Sequence, residues 1–182
     1  MSEEKNSILS QVLDFLKTLV IALVVVILIK LFVLDATKVS GNSMLNTLHD
    51  GDMFFVNKVE KYMGGYERGD IVILEAPDYY NRIYIKRIVG LPNDTIELKD
   101  DKVYINGEEY KEDYTSTDET LQTSDKSKWT LDSNQYFVMG DNRLPGASND
   151  SRSFGPIYGD TIIGHAFLRF YPFSDIGFVD KE

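Results

Sequence analysis

Three short stretches hold the side chains most able to do chemistry. The first, "VSGNSMLNTLHDGD" from Val39 to Asp52, sets Ser43 and Met44 among small residues, with Gly41 and Asn42 just ahead of them. The second, "RIYIKRIVG", carries Lys86 in an apolar run, where Tyr84, Lys86 and Ile88 share one strand face and Ile83, Ile85 and Arg87 the other. The third, "GDNRLPGASNDSR" from Gly140 to Arg152, gathers Asp141, Asn142, Arg143, Ser148, Asp150, Ser151 and Arg152. A serine hydroxyl becomes a nucleophile when a base takes its proton, and a lysine amine can be that base if burial depresses its pKa. A lysine flanked by isoleucines on a strand is a candidate for such desolvation, neutral at about pH 8 as a base must be. Each stretch also has a bland reading. These are a flexible turn, an edge-strand lysine that blocks aggregation, and a hydrophilic loop whose carboxylates and guanidinia pair to fix a turn.

Composition narrows the chemistry further. The chain has no cysteine, which excludes disulfides, thiolate catalysis and thiolate metal sites. Its two histidines, His49 and His165, lie far apart without ligand spacing, so no metal site is expected and no cofactor is called for. A net charge of -10 argues against a nucleic-acid partner, which would need a basic face. At 182 residues and 43% hydrophobic, the chain can bury one core of ordinary domain size.

The elements that must position these residues begin with "VLDFLKTLVIALVVVILIKLFVL", residues 12–34, long enough to span a bilayer as a helix. Lys30 lies near its end and can snorkel to the headgroups. A removed leader would have a basic start, a shorter apolar core and an Ala-x-Ala-like exit. Here the flank mixes Glu3, Glu4, Lys5, Asp14 and Lys17 and the exit reads "LDATKVS", so an uncleaved anchor is expected, preceded by a tail of residues 1–11. The flanking charges are too balanced to orient it. Residues 35–182 then turn β-rich, with strand candidates "MFFVNK", "DIVILEA", "RIYIKRIVG", "TIELKD", "KVYING", "QYFVMGD" and "TIIGHAFLRFYP". Asn106-Gly107 predicts a hairpin turn. An inserted acidic hairpin and loop region is expected over about 97–134, within which Glu108 to Lys128 reads as a solvated excursion from the β core. The aromatic tail with Phe167, Phe170, Tyr171, Phe173 and Phe178 is read as core before lipid-facing surface.

In this order, the anchor, "SGNSMLNTL", "YIKRIVGLPND", "GDNR...SNDSR" and "GHAFLRFYP" together resemble the bacterial type I signal peptidases, in their Gram-positive form, from the anchor to about Gly177. The resemblance implies a mainly β fold: a single transmembrane helix followed by a β-rich catalytic domain with a small inserted cap. It implies a membrane-bound serine endopeptidase that removes signal peptides from exported preproteins after a small-x-small motif. The chain would be single-pass in the cell membrane, with its amino terminus cytoplasmic and its catalytic domain outside. Membrane lipid and the secretion machinery would be its other partners. Carried over residue by residue, Ser43 would be the nucleophile and Lys86 the general base, and Met44 would line the site. Gly41 and Asn42 would lie near the oxyanion, which the Ser43 backbone N–H would meet. Ser148 would hydrogen-bond the lysine, while Asp141, Asp150, Arg152 and Arg87 would brace loop and strand.

Two departures from the family pattern stand out. Asn46 replaces a common proline, which suggests a less rigid turn after the nucleophile. Two extra residues lie between Arg143 and Ser148, read as a local bulge at Pro145 and Gly146 that leaves Ser148 in place, with a specialised cargo left open. A self-cleaving repressor of serine-lysine type would carry a DNA-binding segment where this chain has its anchor. The rival from another class is a membrane-tethered chaperone-like module with a vestigial site.

Overall fold

The computed structural model describes residues 2–63 and 65–179; Met1 of the expected tail and residues 180–182 of the expected catalytic domain lie outside the described residues. An apolar segment satisfies its own backbone by winding into a helix, and α1 spans Ser2–Phe32. Within it, Ser10–Phe32, 23 residues of mean hydropathy 2.8, is long and apolar enough to cross a membrane, and none of it is buried against the rest of the protein. Residues 2–11 are therefore helical too. Leu34, expected at the end of the anchor, instead opens β1 (Leu34–Lys38), which pairs antiparallel with β2 (Met53–Asn57). Lys58 ties the two elements together. Its Nζ donates to the Lys30 carbonyl at 3.2 Å, one of the acceptors a helix end leaves unpaired, and to Asp35 Oδ2 at 2.9 Å.

The strands that follow are β3 (Ile71–Glu75), β4 (Ile83–Gly90), β5 (Thr95–Lys99), β6 (Lys102–Ile105), β7 (Glu108–Glu109), β8 (Lys128–Thr130), β9 (Gln135–Met139), β10 (Ile157–Tyr158), β11 (Ile162–Tyr171) and β12 (Gly177–Phe178). Short helices α2 (Glu60–Met63) and α3 (Ser151–Phe154) lie between them. The larger sheet runs in the order β1, β2, β11, β3, β4, β9, β10, with β12 added to β11, and the smaller runs β7, β6, β5, β8. The fold is mainly β, and each of the seven segments read as strands contains one. Asn106 and Gly107, with φ of 54° and 89°, make the expected two-residue turn between β6 and β7.

Strand β4 carries the candidate lysine, and its burial changes along its length. Ile83 is exposed, but every residue from Lys86 to Gly90 is buried. The cause is position: β3 flanks the strand from Ile83 to Arg87, β9 joins it from Arg87 onward, and the core of Val89, Ile96, Trp129, Phe137 and Met139 closes over its end. Lys86 pairs with Val72 of β3 and is 3% exposed, so it is not a solvent-facing lysine that guards an edge. At Gly90 the chain passes so close to the second sheet that a Cβ would lie 2.8 Å from both Ile96 Cδ1 and Phe137 Cβ.

The segment from Glu108 to Lys128 is mostly exposed or half-buried, but it is pinned to the body of the fold at single residues. Tyr114 and Thr120 are 7% and 5% exposed. The Ser116 N–H donates to the Asp141 carbonyl at 3.0 Å and the Thr120 N–H to Asp101 at 2.6 Å. Its polarity misled because its partners are buried charges remote in sequence, and a buried polar group needs such a partner rather than apolar company. The aromatic tail divides: Phe170 stacks on Phe55 at 4.5 Å, while Phe173 and Phe178 are 78% and 73% exposed.

The close approach at Gly90 generates a stability prediction. Gly90→Ala should lower unfolding free energy by about 1–3 kcal/mol through overpacking. Gly177→Ala, where a Cβ meets nothing within 4 Å, should stay within about 0.5 kcal/mol. Denaturant unfolding of the detergent-solubilised chain reads both.

Candidate active site

Ser43 lies in the connection between β1 and β2, in a turn fixed from two sides. Below it, Met44 and Leu48 are buried at 1% and 0% exposure in a core with Val39, Phe54 and Val56, and Leu48 N–H donates to the Met44 carbonyl at 2.8 Å. Met44 therefore anchors the turn in the core instead of lining an open site. Gly41 takes a φ of 101° and gives its N–H to Asp50 Oδ1 at 2.8 Å. From the other side, Asn142 N–H donates to the Ser43 carbonyl at 3.0 Å and its Nδ2 to the Asn42 carbonyl at 2.9 Å.

Lys86 reaches this turn from β4, and its Nζ donates to Ser43 Oγ at 2.8 Å. The lysine is 3% exposed. Burial, opposed by the Asp150 charge and helped by Arg152, lowers its pKa to about 8. Among the described ion pairs none involves Lys86, so nothing holds its proton on directly. Ser148 does not make the expected bond to the lysine; its Oγ donates to Asp150 Oδ2 at 2.7 Å.

The two carboxylates near the lysine are each engaged by an arginine. Arg87 grips Asp141 bidentately, Nε to Oδ1 at 2.9 Å and Nη2 to Oδ2 at 2.8 Å, with both side chains at 1% exposure or less. Arg152 grips Asp150 the same way, at 2.8 Å twice. Burial pushes the Asp150 carboxyl up, but Arg152, the Gly140 N–H and Ser148 together hold it below the usual carboxylate range. Gly140 is required here, because a Cβ would overlap Ser148 Oγ and the Ser43 carbonyl.

Sequence reasoning gathered Arg143 with the third stretch without giving it a role, and it missed Glu112, Thr120, Tyr114 and Thr47. Arg143, 1% exposed, donates to Gly140 O at 2.7 Å, Thr120 Oγ1 at 2.7 Å and both oxygens of Glu112. Tyr114 lies under the Arg87 guanidinium at 3.9 Å. Thr47 donates to Asp141 at 2.5 Å. The usable signal was that Arg87, Arg143 and Arg152 outnumber the loop's two aspartates, Asp141 and Asp150.

The departures resolve into geometry. Asn46 has a φ of 86°, which proline cannot adopt, and its Nδ2 donates to the Thr115 carbonyl at 3.0 Å. The turn is thus tethered, not loosened. Leu144 to Ala147 close a turn with a bond of 3.1 Å, Gly146 at φ 70°; Leu144, Pro145 and Gly146 are exposed while Ser148 stays buried, so the extra residues bulge outward. A cavity of about 430 Å³ lined by Leu121, Leu144, Pro145 and Ser148 opens beside them.

Comparison with known proteins is consistent across the chain. The family described as signal peptidase, peptidase S26, matches residues 12–171. Signal peptidase I S of Bacillus subtilis is 39% identical, covering 97% of this chain and 98% of its own. Signal peptidase I of Bacillus licheniformis is 40% identical with the same coverage. The crystal structure of a signal peptidase I from Enterococcus faecalis is 34% identical, covering 55% of this chain and 95% of its own, with a TM-score of 0.46.

Two predictions follow from the buried pairs and the turn. Asp141→Ala strands the Arg87 guanidinium and should cost about 3–5 kcal/mol, whereas Arg87→Met combined with Asp141→Leu should cost clearly less than the sum of the two single changes. Asn46→Pro should destabilise by more than about 1 kcal/mol while Asn46→Gly stays below that. Thermal melts of the solubilised variants measure each.

Proposed function

The chain belongs to the signal peptidase family, peptidase S26, and on that premise we propose that Ser43 and Lys86 are the groups by which it cuts. It is a serine endopeptidase, membrane-anchored, that acts on the signal peptides of preproteins. The observation that carries the assignment is the 2.8 Å bond from a buried lysine amine of lowered pKa to a serine hydroxyl.

In the attack, Lys86 Nζ in its neutral form takes the Ser43 proton as Oγ adds to the scissile carbonyl. Negative charge then develops on the carbonyl oxygen, with the Ser43 backbone N–H as its donor. Collapse breaks the peptide C–N bond, and the Lys86 ammonium returns its proton to the leaving amine. The signal peptide is left as an ester on Ser43. Lys86, neutral again, deprotonates a water that hydrolyses the ester and regenerates the serine. Ser148 acts through Asp150 in this scheme, as a positioning residue.

The substrate pairs in extended form beside the lysine. On the side of β4 facing β9, the ladder covers only Arg87 to Gly90, which leaves Ile83 to Lys86 with an open edge. Ser10–Phe32 spans the cell membrane, with the amino terminus inside and the β domain outside. Exposed Phe173, Ile176 and Phe178 support contact of that domain with lipid. The secretion machinery is the source of its preproteins.

Detergent-solubilised protein incubated with a preprotein should release a fragment whose new amino terminus follows a small-x-small motif. Ser43→Ala and Lys86→Ala should each lower the rate by about 10⁴-fold or more. Cleavage retained in either variant would refute the pair, and secretion unharmed by both in cells would favour the binding-module reading. Because the base must be neutral, the wild-type rate should rise with pH through about 8 and then level.

A further inference from the structure

We propose that Glu60, Asp70 and His165 form a binding site for one divalent cation of the zinc type. The fold alone unites them: Glu60 is on α2, Asp70 precedes β3, and His165 lies on β11 opposite Asn57 of β2 and Val72 of β3. One ligand atom from each lies within 4.8 Å of the others. His165 Nδ1 is 3.1 Å from Glu60 Oε2, and its Nε2 is 3.8 Å from Asp70 Oδ1. The two histidines of the sequence gave no ligand spacing because two of these three groups are carboxylates contributed by separate elements.

The donor set suits such a cation. One imidazole nitrogen and two carboxylate oxygens match zinc's ligand types, with water completing four-coordination. The carboxylates are held from behind as ligands usually are. Asn57 Nδ2 donates to Glu60 Oε1 at 2.9 Å, and the Glu67 N–H to Asp70 Oδ2 at 2.7 Å. Asp70 has its other oxygen, Oδ1, toward the imidazole, and both oxygens of Glu60 lie within 3.2 Å of its Nδ1. Asp70 and His165 are 2% and 8% exposed, so two acidic groups share a poorly hydrated place where a dication offsets their repulsion. Lys61, the nearest lysine in sequence, is drawn off to the Asp160 carbonyl at 2.8 Å.

A second observation points to the same place. Tyr66 is 7% exposed, and among the described residues its buried hydroxyl has no hydrogen-bond partner. Tyr66 lies in the segment that joins α2 to β3, between Glu60 and Asp70 in the chain. That hydroxyl is suited to bond a water carried by the cation. Glu60, about one third exposed on a four-residue helix, has the freedom to contract onto the ion.

The full chain, solubilised and stripped with a chelator, should bind one Zn²⁺ per molecule by calorimetry, at least ten-fold tighter than Mg²⁺. Its melting temperature should rise on Zn²⁺ addition. Glu60→Gln, at a position about one third exposed where the change leaves the fold intact, should weaken binding ten-fold or more and abolish the rise; Asp70→Asn should do the same or more. Glu75→Gln, outside the cluster, should change neither. Absence of saturable one-to-one binding, or binding undiminished in Glu60→Gln, overturns the site. So does a melting temperature that follows pH alone and ignores Zn²⁺, since that marks a proton shared by the imidazole and its carboxylates.

Discussion

Adjacent residues of one strand, Lys86 and Arg87, receive opposite electrostatic treatment, and the arrangement around the serine depends on it. Both are removed from water, at 3% and 1% exposure. Arg87 keeps its charge through a bidentate carboxylate and an aromatic face. Lys86 is given a hydroxyl and no counter-ion, so desolvation drives it toward the neutral amine. The two aspartates that would otherwise hold its proton on are each saturated by a guanidinium, Asp141 by Arg87 and Asp150 by Arg152. Arg152 offsets part of the Asp150 field at the lysine, and burial outweighs what remains. The guanidinium's planar fork and permanent charge explain why arginine fills both roles and a second lysine would not.

This separation of charges sets what the surrounding loops must do. A buried ion pair contributes little net stability, yet loss of one partner is costly. The pairs therefore act as fixed points, and the residues between them are held by geometry. Asp150 also caps α3 through the Arg152 N–H at 3.2 Å, and Ser151 Oγ accepts from Val138 N–H at 3.0 Å, which locks the helix turn to β9. Glu112 performs the same service for Arg143 from a segment more than thirty positions away in the chain.

How much of this was legible in the sequence depended on the range of the interaction. Strand β4, the helix α1 and the turn at Asn106-Gly107 follow from local pattern, and the structure has each. The serine, the lysine and the aspartates were singled out by residue type and order. Strand β1 was missed because "LDATK" has little apolar alternation, being a half-exposed edge. Glu112, Tyr114 and Thr120 were misread since an acidic, polar stretch looks solvated until its arginine partners are found across the fold. The Glu60, Asp70 and His165 cluster had no signal at all, as its members are spread over more than a hundred positions.

The link between helix and sheet at Lys58 carries a mechanical meaning. One amine fastens the last turn of α1 to the first strand through the Lys30 carbonyl and Asp35, so the joint has little slack. A reaction centre on a stiff bracket sits at a set height above the surface in which its post is planted. Ser43, in the connection that follows β1, is thereby kept within a short reach of the end of the apolar helix.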